Sequence, residues 1–205
     1  MTAEIEVELR GRLSEGQYET LLSFLKQHGQ FKEHKHRLLL DYSTFLPGEG
    51  VAHRTCDIRL RTTNGEPEII TKLGGWGGDE HRREISIKTE EGSFDRLVET
   101  YAVLGYTKAI IAERFTEVFD YKGFEFALVT VPEHSYYFEI EKIAESTEDM
   151  AVVKEEIRVL CAELDLTLFN DQGFYDYIDE LNRESNGVFD FVDFEPNYFA
   201  NRYTI

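Results

Sequence analysis

The chain has 205 residues and a formal net charge of −18, from 22 Lys and Arg against 40 Asp and Glu. A chain of that length buries roughly 70% of the surface it exposes when unfolded, and 41% hydrophobic with 13% aromatic residues excludes a mainly disordered protein. The negative charge repels phosphate backbones, so no nucleic-acid partner is expected. No apolar run approaches the ~20 residues of a membrane span and MTAEIEVELR is not a signal peptide, so the expectation is a soluble cytoplasmic protein with no membrane partner. Two cysteines, Cys56 and Cys161, are too few for a disulfide framework or a thiolate metal cage.

Residues 3–13 alternate strictly, Ile5, Val7 and Leu9 against Glu4, Glu6, Glu8, Arg10 and Arg12, which predicts a strand. The capping box Ser14-x-x-Gln17 then opens a helix with an apolar stripe at Leu21, Leu22, Phe24 and Leu25, closed by Gly29. Strands are expected over 31–42, 55–63 and 66–73, the turn FLPGEG following the first of them. The four glycines of GGWGGDE predict a mobile connection into a strand at 81–89. A second helix runs from an N-cap at Ser93 to Gly105, followed by strands at about 109–120, 123–131 and 135–143. Ser146, Thr147 and Asp149 start a third helix, and a fourth spans about 172–183. The aromatic and acidic tail, from about 184, is compatible with an added strand, surface packing or a free end. No Ser, Gly or Pro linker divides the chain, so residues 1–205 are expected to form one domain.

Charged alternation on a single strand is usually a solvated face. Three features of the whole set speak against that. The polar faces favour Arg, which grips phosphate bidentately. The strands divide by sign, with acidic pairs at Glu6, Glu8 and at Glu139, Glu141, and with Arg59, Arg61, Lys72, Arg82 and Arg114 between them. The unit Glu-Ile-Glu also occurs twice, in EIEVEL and FEIEKI. If the sheet curls into a barrel, these faces look into a wet lumen. Two facing Glu-x-Glu units offer about four oxygen donors, which suits Mg²⁺ or Mn²⁺, and the neighbouring cations would neutralise a polyphosphate.

Glu6-Val7-Glu8-Leu9-Arg10 resembles the Glu-x-Glu-x-Lys signature of the CYTH superfamily, the triphosphate tunnel metalloenzymes. The resemblance continues in order through Asp57-Ile58-Arg59-Leu60-Arg61, Thr71-Lys72, Arg82-Arg83-Glu84, Glu113-Arg114 and Phe138-Glu139-Ile140-Glu141, spanning roughly residues 3–180. It implies an α+β fold, an eight-stranded antiparallel closed β-barrel (the triphosphate tunnel) with flanking helices. By the same resemblance Glu6, Glu8, Glu139 and Glu141 would hold the metal, with Glu84 nearby. Arg10, Arg59, Arg61, Lys72, Arg82 and Arg114 would hold the triphosphate. The family includes class IV adenylyl cyclases, thiamine triphosphatases and inorganic triphosphatases. The chain departs from it at Arg10, where the family has Lys, at Leu128-Val129, where it commonly has Leu-Asp, and at Asp41-Tyr42-Ser43, which blurs an Asp-x-Tyr-Phe motif.

The expectation is therefore a Mg²⁺- or Mn²⁺-dependent triphosphatase acting on a small-molecule triphosphate, inorganic, thiamine or nucleoside. The alternatives are a cyclase making cyclic AMP and pyrophosphate, or a binding module without turnover. Glu8, Glu84 and Lys72 are the candidates for a catalytic base. A homodimer is the assembly considered. His34-x-His36 has no third zinc ligand at supporting distance and reads as an exposed pair on a basic strand. The glycines of 74–78 lack the Lys-Ser/Thr of a phosphate loop. The two thiols read as buried, Ser43 and Ser86 have no nucleophile context, and the acidic helices after 144 read as solvated.

Overall fold

Alternation along each strand becomes a single antiparallel sheet in the computed structural model of the chain, which describes residues 5–75, 79–80, 83–146 and 148–203. Its strands are β1 (Ile5–Leu13), β2 (Gln30–Asp41), β3 (Cys56–Thr63), β4 (Glu66–Leu73), β5 (Asp79–Glu80), β6 (Arg83–Lys88), β7 (Lys108–Tyr121), β8 (Phe124–Val131), β9 (Ser135–Ala144) and β10 (Gly187–Asp190). Eight of them have six residues or more, matching the expected number. The helices are α1 (Glu15–His28), α2 (Phe94–Val103), α3 (Asp149–Glu163) and α4 (Asp171–Glu184). Strand order is β5-β1-β9-β8-β7-β2-β3-β4-β6, with β10 beside β7. The fold is α+β, a curled antiparallel sheet with four helices. The two end strands of this order, β5 and β6, are consecutive in the chain and only two residues apart.

Local chemistry explains the boundaries. The Ser14 box forms as expected: its hydroxyl accepts from the Gln17 N–H while Gln17 returns a bond to the Ser14 N–H, and α1 ends at Gly29. Asn64 and Gly65, both at positive φ (52° and 86°), make the two-residue turn between β3 and β4. That turn needs left-handed backbone at both central positions, which Asn-Gly supplies at least cost. It sets the register Asp57↔Lys72 and hence which side chains share a face. Ser93 makes no side-chain cap to α2, and its hydroxyl instead lies 2.8 Å from that of Thr89. At α3 the Ser146 hydroxyl accepts from the Asp149 N–H at 3.2 Å; Thr147 lies outside the described residues, as do residues 76–78 of the glycine segment.

The convex side is apolar and carries the cores. Val7, Leu9, Leu13, Phe126, Phe138 and Ile140 pack under α1 and α3 with Leu21, Leu25, Ile157 and Leu160. A second cluster joins Leu38, Leu40 and Leu60 to Phe94, Val98 and Tyr101 of α2. The tail completes this second cluster: β10 pairs with β7, and Phe189 and Phe199 are fully buried. Gly11 sits where the segment entering α4 crosses β1. A Cβ there would collide with the Thr167 carbonyl and the Phe138 ring, so only glycine fits.

Candidate functional site

With the apolar parity spent on the cores, the charged parity faces the concave side and lines a cavity of about 350 Å³. β1 contributes Glu6, Glu8 and Arg10, and β9 contributes Glu139 and Glu141. Arg59 and Arg61 come from β3, Lys72 from β4, Glu84 from β6 and Arg114 from β7. Every sequence-predicted site residue is therefore at this cavity except Arg82, which lies outside the described residues.

The acidic group is built by one strand pair. β1 and β9 are adjacent, with Glu8 opposite Glu141 and Arg10 opposite Glu139. The two Glu-x-Glu units thus sit side by side on neighbouring strands; they do not face each other across the lumen, as the sequence suggested. Their carboxyls crowd in two pairs, Glu6 beside Glu141 and Glu8 beside Glu139. Burial pushes the Glu141 carboxyl well above the usual range, and the adjacent Glu6 carboxyl pushes it further. Burial raises Glu8 as well, against the pull of Arg10 and with the push of Glu139. Crowded carboxylates held away from water are unfavourable, and a hard divalent cation relieves that crowding. The donor set, all carboxylate oxygen, fits Mg²⁺ or Mn²⁺ in chemistry.

The cations are held by their own acids. Arg10 pairs with Glu8 at 2.5 Å and lies 4.8 Å over the Phe174 ring. Asp57, fully buried, holds Arg59 at 2.6 Å and Arg54 at 3.2 Å, while Asp41 holds Arg54 at 2.5 Å. Arg61 Nε donates to Glu68 at 2.6 Å, and Ser86 donates to the same carboxylate at 2.8 Å. Lys72 pairs with Glu84 at 3.0 Å. Arg114 donates to the Glu113 carbonyl at 2.6 Å and to the Asn186 side-chain oxygen at 2.9 Å. Each guanidinium is thereby oriented before any ligand arrives, which is how a site avoids the cost of ordering long side chains on binding.

Several lining residues were missed by the sequence reading. Lys35, Arg37, Asp41 and Arg54 line the cavity, as do Glu125 and the α4 side chains Phe174, Tyr177 and Leu181. The signal for β2 was present in Lys35-x-Arg37 but was obscured by the unbroken run Leu38-Leu39-Leu40. α4 is not merely a solvated helix, since its apolar side covers part of the cavity. Val129, at the position where the family's acid was expected, also lines it.

The remaining candidates lead elsewhere. His34 and His36 each face a carboxylate, Glu117 at 3.2 Å and Glu113 at 2.7 Å, and His36 stacks on Phe115 at 4.5 Å. Ser43 accepts from the Ile58 N–H at 2.6 Å, a structural bond. Cys161 is buried, as expected, and Cys56 half-buried. Outside the cavity His134, Glu180 and Glu184 bring ligand-type atoms within 4.8 Å of one another. Glu180, however, pairs bidentately with Arg12 at 2.8 and 2.9 Å, and Glu184 pairs with Arg183 at 2.7 Å, so both carboxylates are engaged by guanidiniums. No described helix is long and apolar enough to cross a membrane.

No family model matches the chain, and no curated protein matches it in sequence. Solved structures do match in fold. The PH1819 protein of Pyrococcus horikoshii superposes with a TM-score of 0.67 at 21% identity, over 85% of this chain and 98% of its own. A Vibrio parahaemolyticus protein provisionally named an adenylate cyclase gives 0.61 at 17% identity, over 80% and 91%. HpAC1 of Hippeastrum, provisionally named an adenylyl cyclase and described by a dominant triphosphatase activity, gives 0.57 at 14%, over 82% and 90%. The chain thus shares the fold of proteins carrying cyclase and triphosphatase names, consistent with its resemblance to the triphosphate tunnel metalloenzymes.

Proposed function

We propose that the chain is a divalent-metal-dependent phosphohydrolase that binds a triphosphate in a closed tunnel. The observation that carries this reading is the sorting of charge on one concave face, with buried and half-buried carboxylates on β1 and β9 and oriented cations on β3, β4 and β7. Gathering so many charges on one concave face costs solvation that internal ion pairs return only in part, and a complementary ligand returns more. Closure of the barrel is supported by the end strands. β5 pairs with β1 and β6 pairs with β4, so the short step from Glu80 to Arg83 spans the two edges of the sheet. The triphosphatase and cyclase names of the fold neighbours support the substrate class.

In this reading Glu6, Glu8, Glu139 and Glu141 hold Mg²⁺ or Mn²⁺, which when bound supplies charge neutralisation and a Lewis acid at phosphoryl oxygen. Arg10, Arg59, Arg61, Lys72 and Arg114, joined by Arg82, clamp the triphosphate and neutralise its oxygens. Phosphoryl transfer asks mainly for positioning and charge stabilisation, and the preformed ion pairs provide both. Water attacks the terminal phosphorus, the bond to the bridging oxygen breaks with its electron pair leaving on the diphosphate, and Glu8 or Glu84 takes the water proton. Lys72, tied to Glu84, stays within reach of the same transfer as an electrostatic partner. The protein acts as one domain on a soluble small molecule in the cytoplasm.

The test is incubation with tripolyphosphate, thiamine triphosphate or ATP in Mg²⁺ or Mn²⁺, with orthophosphate, pyrophosphate and cyclic AMP measured separately. Metal-dependent orthophosphate release is expected. Pyrophosphate with cyclic AMP would replace the hydrolase by a cyclase. No product, but a rise in melting temperature with the anion, would leave a binding module.

A further inference from the structure

We propose that Arg37 is a direct anion ligand of this cavity, a guanidinium whose counter-ion is the bound substrate. The inference rests on the triphosphate reading and extends it to a residue outside the family-like motifs. Arg37 lies on β2 opposite Arg114 of β7 and Thr63 of β3, and its side chain lines the cavity. Lys35 pairs with Glu33 at 3.1 Å and Glu125 at 3.7 Å, and, Arg37 aside, every other described lysine or arginine at the cavity is tied to a carboxylate or an amide, as set out above. Arg37 forms no hydrogen bond or ion pair with the described residues, and its Nε is fully buried without a partner.

Arg37 also stands in a hostile neighbourhood. Burial lowers its hold on the proton and the adjacent Arg61 lowers it further, only partly offset by the fields of Glu139 and Glu68. Arg37 is half-buried, and a cation whose Nε is shut away from water without a partner is costly for a fold to carry. A protein that needed only a filler here would gain stability from an apolar side chain of the same length. Three guanidiniums on neighbouring strands, Arg37, Arg61 and Arg114, are a poor structural device and a good receptor for a multiply charged phosphate. Of these, Arg37 alone has its hydrogen-bonding capacity uncommitted among the described residues, so it has the most to gain when the anion enters.

The experiment compares the wild type with Arg37→Met, which keeps length and removes charge, and Arg37→Lys, which keeps charge. Tripolyphosphate binding is measured by titration calorimetry at fixed salt with Mg²⁺ present, and melting temperature is measured without ligand. The wild type is expected to bind. Arg37→Met is expected to bind on the order of 10- to 100-fold more weakly, the loss of one charge-assisted contact, while its ligand-free melting temperature equals or exceeds that of the wild type. Arg37→Lys is expected to recover part of the affinity. Binding by Arg37→Met within twofold of wild type would overturn the assignment of this arginine alone. So would a ligand-free melting temperature clearly below wild type in Arg37→Met that Arg37→Lys restores, since that marks a structural cation. A wild type that does not bind tripolyphosphate would refute the triphosphate reading itself, and the role of Arg37 with it.

Discussion

Replacing Asp57 by Asn tests whether buried acids hold the arginines of the cavity in place. Asp57 is completely buried between Arg59 at 2.6 Å and Arg54 at 3.2 Å, and Arg54 is itself 2% exposed. Asn preserves the volume, so no hole is created and the change is electrostatic. Removing one member of a buried ion pair costs about 3–5 kcal/mol, because the partner charge is left uncompensated. Arg54 keeps Asp41 at 2.5 Å and Thr44 at 2.6 Å, and Arg59 reaches the wet cavity, so the lower end, about 3 kcal/mol, is expected here. For a chain of this size each kcal/mol lowers the melting temperature by about 2–4 °C, which gives a drop of about 6–12 °C. Differential scanning calorimetry of the ligand-free proteins reads this directly. A fall of less than about 2 °C would mean that the two arginines do not depend on this carboxylate, and that the site is not preorganised in the way described.

Glu139→Gln removes one carboxylate of the β1–β9 cluster with little change in volume. It should lower metal-dependent turnover on the order of 10²-fold or more while leaving the melting temperature equal or higher; an unchanged rate counts against the metal assignment. At Glu68, burial pushes the carboxyl up, but the bonds from Arg61 and Ser86 win and hold it below its ordinary value. Its contribution is therefore present above the unfolded value and lost as pH falls through the lower folded one. The stability gap between wild type and Glu68→Gln should be constant above about pH 5 and close toward more acid pH; a gap that widens in acid would reverse the sign. Gly11→Ala should cost at least about 1–3 kcal/mol through overpacking against Thr167 and Phe138. A denaturation midpoint matching wild type would show that the crossing of the α4 entry segment over β1 can relax.

Much of this architecture could be read from the chain because its strands obey period two without interruption. Glu6, Glu8 and Arg10 against Val7 and Leu9 fix both the strand and its faces, and the same holds for Asp57, Arg59 and Arg61 against Ile58 and Leu60. What alternation cannot express is which strands become neighbours. The two Glu-x-Glu units were expected to face each other across a lumen, yet the order β1-β9 places them on one ladder, a pairing across more than 130 residues of sequence. Partnership between charges is equally invisible in one dimension. Asp41 and Arg54 are thirteen residues apart on either side of a turn, and only the fold turns them into a buried pair. Arg37 follows the His34-x-His36 pair and precedes the unbroken run Leu38-Leu39-Leu40, so no alternation marks its face. The histidines point to the opposite face, toward Glu113 and Glu117, and the arginine separates from them only once parity is anchored by Asp41. The tail offered three outcomes from composition alone, and the decision came from a complementary surface on β7 and α2 that no local pattern encodes.

The late position of Phe189 and Phe199 has a consequence for biosynthesis. During translation the strands that display Arg59, Arg61 and Arg114 emerge long before the aromatic residues that seal the back of the same sheet. Until residues 187–199 clear the ribosomal exit, the part of the Leu38, Leu40 and Leu60 cluster that Phe189 and Phe199 cover stays open. The nascent polypeptide thus carries a sticky hydrophobic flank through most of its synthesis, the kind of surface that chaperones hold.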